Sequence, residues 1–141
     1  MNWQEIKSEF EYEGSLLDLY IQQTDSDDWQ KALDLIRSSP YRLCYMRDSQ
    51  EAPLPHEAKS VLAPRQEASP FLRIGVESLT INCHFFIEEQ IEFDVYPPEI
   101  TTEAHFSYLC QFMRLLGQGL NKSVDLTPEN TEDQIILKIC P

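Results

Sequence analysis

The chain has 141 residues, 42% of them hydrophobic and 11% aromatic, which predicts one domain with a packed core rather than a disordered segment. Its 24 acidic residues outnumber 11 basic ones and give a formal net charge of −13. This charge argues against nucleic acid and anionic membrane surfaces as partners, because both attract clustered Lys and Arg. It allows a basic protein partner.

The sequence contains no run of about 18 apolar residues, and its acidic N-terminus is unlike a signal peptide. We therefore expect no membrane association and a cytoplasmic protein. The four cysteines lie far apart and form no CxxC pair: Cys44, Cys83, Cys110 and Cys140. We interpret them as buried, reduced side chains and expect no metal site and no cofactor.

The N-terminal part of the chain is predicted to form a hairpin, a helix and a strand. Alternating apolar residues indicate strands at residues 9–12 and 16–21. A helix then follows, for which Thr24 or Ser26 is the expected cap. Residues 41–46 predict a further strand.

A proline-rich connection is predicted between residues 48 and 70, because prolines interspersed with polar residues cannot sustain a central strand or a long helix. Residues 56–62 within it have the composition of a short helix. Residues 71–76 then resume a strand.

The most regular stretch is a second hairpin followed by the most apolar helix of the chain. Apolar and polar residues alternate over residues 79–86 and again over 91–96. Pro97 and Pro98 end the second strand, and Thr101 or Thr102 is the expected cap of the helix that follows. Gly117 and Gly119 indicate the end of that helix. Two last strands are predicted at residues 123–126 and 134–139.

These elements predict a single α+β domain over residues 1–141. We expect a mostly antiparallel sheet of about six to eight strands with two main helices packed on one face. LDLY at residues 17–20 and FDVY at 93–96 both precede a capped helix, which allows two pseudo-repeated ββαβ units. In such a repeat Asp18 and Asp94 would occupy equivalent positions, each beside a tyrosine.

The second hairpin carries the most suggestive group of polar residues. Glu92 and Asp94 project from the same side of a strand, and His84 on the paired strand is expected to lie near them. Two carboxylates and an imidazole are the parts of an acid/base or divalent-metal site. They also occur on any solvated sheet face, and the sequence has no motif typical of a catalytic or phosphate-binding loop.

Strand tyrosines mixed with acids are typical of protein interfaces. The candidate partner-binding residues are therefore the hairpin acids and the two equivalent Asp and Tyr positions: Glu88, Glu89, Glu92, Asp94, Asp18, Tyr20 and Tyr96. We predict no catalytic residue and no metal ligand.

Over nearly its whole length the chain resembles an uncharacterised family of small acidic bacterial proteins. The resemblance lies in EYEGSLLDLYI with DDW, HFFIEEQIEFDVYPPEI, FMRLLG and LTPEN. It implies a cytoplasmic binder similar to the immunity proteins that block polymorphic toxins. It assigns no binding residue.

The leading hypothesis is a non-enzymatic acidic protein-binding domain, an immunity-like inhibitor of a basic toxin. The alternative is a metal-dependent or acid/base enzyme that uses the face of Glu92, Asp94 and His84. A third interpretation is an accessory domain that forms a homo-oligomer through an exposed strand edge.

Overall fold

The computed structural model describes residues 1–62 and 68–141, which form an α+β fold around one antiparallel sheet of eight strands. The described helices are α1 (Trp3–Ile6), α2 (Ser26–Ser38), α3 (Ala58–Leu62) and α4 (Glu103–Leu120), with 3-10 helices at Lys7–Phe10 and Pro97–Glu99. The strands are β1 (Leu17–Gln22), β2 (Arg42–Arg47), β3 (Gln50–Ala52), β4 (Phe71–Val76), β5 (Leu79–Ile87), β6 (Gln90–Val95), β7 (Val124–Pro128) and β8 (Leu137–Ile139).

The strand order is β3-β2-β4-β5-β6-β1-β7-β8. Strands β4, β5 and β6 form a meander, of which the β5–β6 hairpin was predicted, whereas β1 comes from the N-terminal part of the chain and lies between β6 and β7. This insertion brings Asp18 directly opposite Asp94 on one side and Thr127 on the other.

Helices α2 and α4 pack on the same face of the sheet and on each other, which confirms the predicted architecture. Trp29 of α2 stacks on Phe85 with ring centroids 5.3 Å apart, and Phe112 of α4 meets Phe93 edge-on at 5.3 Å. The two helices approach closely at Gly119, where a Cβ atom would lie 2.3 Å from Leu35 Cδ1. Burial of these apolar side chains is the main stabilisation of the fold.

The helix caps correct two predictions. Helix α2 is capped by Asp25, rather than Thr24 or Ser26, and forms a capping box with Asp28. Helix α4 begins after Thr102, one of the two predicted caps, but it continues through both glycines to Leu120. It ends there because Asn121 adopts the left-handed conformation, with φ 54°.

The predicted strand at residues 9–12 is wrong. Lys7–Phe10 form a 3-10 helix, and Phe10 packs against Trp3 and Phe106, with ring centroids 5.9 and 6.0 Å away. The apolar residues of this segment therefore contact the start of α4 instead of one face of a strand. The first half of the chain consequently lacks the leading hairpin of a ββαβ unit.

The proline-rich connection is partly ordered into elements. Strand β3 pairs with β2 at the edge of the sheet and was not predicted, while α3 confirms the short helix. Residues 63–67 of the predicted connection lie outside the described residues.

All four cysteines are free thiols, and Cys83 and Cys110 are buried as predicted. Cys44 is half-buried and Cys140 is exposed, because Cys140 follows the last strand and has no element over it. Within residues 1–62 and 68–141, none of the helices combines the length and apolarity that a membrane span requires.

Candidate functional site

The face of the sheet opposite α2 and α4, here called the open face, carries the predicted acids. Successive strand residues point to opposite faces, so residues between the core positions of β5, β6 and β1 project from it. The register aligns His84 with Glu92 and Tyr20, and Asn82 with Asp94 and Asp18. The acid–histidine cluster consists of Asp18, Tyr20, His84, Glu92 and Asp94.

Asp94 is bound through both carboxylate oxygens. Its Oδ2 atom lies 2.5 Å from His84 Nε2, and its Oδ1 atom accepts a hydrogen bond from Asn82 Nδ2 at 3.1 Å. The two side chains of the ion pair are 13% and 23% exposed for Asp94 and His84. A partly buried carboxylate therefore fixes the orientation of the imidazole, as predicted from the strand spacing.

Asp18 is the most deeply buried acid of the cluster, with 3% of its surface exposed. Its Oδ2 atom accepts hydrogen bonds from the Tyr20 hydroxyl at 3.0 Å and from the Asn130 backbone N–H at 2.8 Å. Burial raises the pKa of Asp18, and the nearby charge of Asp94 adds to this shift, while the two hydrogen bonds oppose it. Burial and the contact with Asp18 also raise the pKa of Tyr20.

Glu92 lies between His84 on β5 and Tyr20 on β1. Burial raises the pKa of Glu92 to about 7, with a further contribution from the charge of Asp18 and an opposing one from His84. This carboxyl group therefore exchanges a proton near neutral pH, in direct register with an imidazole.

The structure separates three predicted residues from this cluster: Glu88, Glu89 and Tyr96. Glu88 and Glu89 form the exposed turn of the β5–β6 hairpin, and their backbone carbonyl oxygens accept hydrogen bonds from Trp29 in α2 and from Thr24, two residues before that helix. Trp29 Nε1 donates to Glu88 O at 3.0 Å, and the Thr24 backbone N–H donates to Glu89 O at 3.0 Å.

Tyr96 lies beyond the end of β6 and is 44% exposed. Its ring packs edge-on against Tyr12, with centroids 5.4 Å apart. The seven predicted residues therefore form a buried group on the open face and exposed groups at two ends of the hairpin.

The sequence analysis did not predict that the loop between β7 and β8 contacts the acid–histidine cluster. Asn130 lies in the loop between β7 and β8 and is 112 positions from its partner Asp18. Asn130 adopts a left-handed conformation, with φ 58°. Its contact with β1 depends on the strand order, which no local pattern encodes.

The chemistry available to the cluster is proton transfer. Among residues 1–62 and 68–141, no group of three or more His, Cys, Asp or Glu side chains has an arrangement that could hold a metal ion. Glu92, whose pKa is raised to about 7, could donate and accept a proton near neutral pH.

Comparison with protein-family models, with curated proteins and with solved structures finds no match to this chain.

Proposed function

We propose that this chain is a non-enzymatic acidic binding domain that inhibits a basic protein in the manner of an immunity protein. The observation that carries the proposal is the end of the β5–β6 hairpin, called the hairpin tip: Phe86, Ile87, Glu88 and Glu89. Phe86 and Ile87 are 55% and 42% exposed, and both glutamates beside them are exposed.

The backbone of the hairpin tip is anchored. Glu88 O accepts hydrogen bonds from Thr24 Oγ1 at 2.7 Å and from Trp29 Nε1 at 3.0 Å, and Trp29 is fully buried. A turn held in this way presents its side chains without a large loss of backbone freedom on binding. Such preorganisation supports a role in recognition.

The composition of the tip matches that of a small binding surface. Exposed apolar side chains act as anchors at the centre of interfaces, and charged side chains around them select the partner. The formal charge of −13 would accelerate association with a basic protein by long-range attraction. A cationic surface with an apolar pocket is therefore the expected partner.

The proposal is tested by capture of basic proteins from lysate of the producing cells, followed by kinetics with the purified candidate. We expect E88K/E89K to lower the association rate at least tenfold at low salt. The matched control is E51K/E57K, which makes the same change in net charge at exposed positions on β3 and just before α3.

Inhibition of the captured protein by the native chain, and its loss in E88K/E89K, would support the immunity-like role. An association rate that is equal at 20 and 200 mM salt, or equal in both charge-reversed variants, would contradict the proposal. Sedimentation of the isolated chain tests the separate hypothesis of a homo-oligomer.

A second candidate function is acid/base catalysis on the open face. The specific observation in its favour is that Glu92, whose pKa is about 7, lies directly opposite His84 on the neighbouring strand, and that Asp94 orients the imidazole of His84. We would assay hydrolysis of ester, phosphoester and glycoside substrates. Activity that survives in both E92Q and H84Q would exclude these residues as its acid and base.

A further inference from the structure

The β2–β4 side of the open face differs in charge from the acid–histidine cluster. Arg42 on β2 and Arg73 on β4 are both exposed there. A pocket of about 200 Å³ lies between them, lined by Arg42, Leu43, Cys44, Arg73, Gly75 and Thr80. The predicted acidic binding surface makes no use of this region.

The guanidinium of Arg42 is held in a defined position. Its Nη2 atom donates a hydrogen bond to Glu77 O at 3.1 Å. The group lies directly over Gly75, where a Cβ atom would be 2.9 Å from Nη2 and 3.0 Å from Nε. Glycine at this position therefore leaves the space that the guanidinium occupies.

Neither arginine is neutralised within the described part of the chain. The ion pairs found there involve Arg37, His84, Lys122 and Lys138. Arg73 instead lies over the ring of Phe71, 5.8 Å from its centroid. Glu99, which does not line the pocket, accepts the backbone N–H of the lining residue Thr80 through its Oε1 atom at 2.9 Å. Two arginines thus line one pocket in an acidic protein.

We propose that this pocket binds a small oxyanion of the phosphate class. A guanidinium presents parallel N–H donors that match the oxygen atoms of a phosphate group, and two arginines and Thr80 line the pocket. The volume is smaller than the roughly 300 Å³ at which pockets for drug-sized ligands begin. The site therefore accommodates a single phosphate group rather than a whole nucleotide. This inference is independent of the proposed partner at the hairpin tip.

The test is a titration with inorganic phosphate that is monitored by amide NMR, with chloride used to keep the ionic strength constant. We expect saturable shifts centred on the amides of Gly75 and Thr80. R42Q and R73Q should each weaken binding about tenfold, the effect of losing one charge-assisted hydrogen bond. R114Q removes one exposed arginine on α4 and is the matched control, with no expected change.

G75A distinguishes a built site from diffuse positive charge, since it retains both arginines and displaces only the Arg42 side chain. We expect it to weaken phosphate binding with little effect on folding. Tighter binding of glycerol phosphate than of phosphate would identify an esterified phosphate as the ligand, and the reverse order would identify the free ion. Shifts that do not saturate, or equal affinity in wild type, R73Q and G75A, would overturn the proposal.

Discussion

The two faces of the sheet are formed by the same strands, yet their buried residues are chemically opposite. Under α2 and α4, the strand side chains are apolar and fully covered, as with Leu19, Ile81 and Phe93. On the open face Asp18 and Thr127 are almost as inaccessible, at 3% and 0% exposed. Burial on one face stabilises the fold through apolar area, whereas on the other face the buried Asp18 and Thr127 side chains both form hydrogen bonds.

The loop after β7 explains why the open face is buried near β1. Glu129 Oε1 accepts the Leu16 backbone N–H at 2.8 Å, and the Asn130 backbone N–H reaches Asp18 at 2.8 Å. Further along, Gln22 Nε2 lies 3.4 Å from Glu132 Oε2. The loop thus covers the polar, open-face side of β1, and the pKa values of Asp18 and Glu92 are raised there.

The largest expected effect separates the two faces with one matched pair of substitutions. Phe93→Ala removes a fully buried ring that packs on Phe112 and should lower the free energy of unfolding by about 3–5 kcal/mol. Phe86→Ala on the open face removes a ring that is 55% exposed and should cost less than about 1 kcal/mol. Urea denaturation at pH 7 measures both, and equal losses would show that the faces do not differ in this way.

A smaller effect is expected from Asp18, where the charge and the hydrogen bonds can be separated. Asp18→Ala leaves the Tyr20 hydroxyl and the Asn130 N–H without their acceptor, which should cost about 1–3 kcal/mol. Asp18→Asn retains an acceptor oxygen and removes repulsion with Asp94, so its unfolding free energy should stay within about 0.5 kcal/mol of wild type. If Asp18→Asn loses as much stability as Asp18→Ala, the negative charge itself is required.

The sequence was sufficient to predict the covered face. Strict alternation over β5 and β6 and the wide apolar stripe of α4 identify the hairpin, its buried side and its helix, because each element has to bury one apolar face. The strand predicted at residues 9–12 failed because Phe10 packs on Phe106 of α4, a contact that alternation cannot distinguish from a strand face.

The open face could be predicted only in part. His84 lies opposite Glu92 because the register of the hairpin shifts between His84 and Ile87, which is a local feature. The position of Asp18 opposite Asp94 depends on the insertion of β1 beside β6, and the contact of Asn130 with Asp18 depends on β7 lying next to β1. These contacts between distant parts of the chain determine which acids are buried, and hence which pKa values shift.

Glu92 provides the finest test of the comparison, because the charges of four neighbouring groups shift its pKa: Asp18, His84, Asp94 and Glu132. Its pKa is raised from 4.5 to about 7 in the folded chain, so the native state binds the proton more tightly than the unfolded state. The stability of wild type relative to Glu92→Gln should therefore fall as pH rises from about 4.5 to 7 and then level off.

The expected total change is on the order of 1–2 kcal/mol, since solvent around the half-buried carboxylate reduces the effect of the shift. Urea denaturation of wild type and Glu92→Gln at pH 5, 6, 7 and 8 measures the difference between the two unfolding free energies. Because every other titrating group is present in both proteins, this difference reports mainly on Glu92 and its coupling to the four neighbours. A difference that is constant across this range would mean that Glu92 is ionised as readily as in water, and the open face would then be a solvated surface after all.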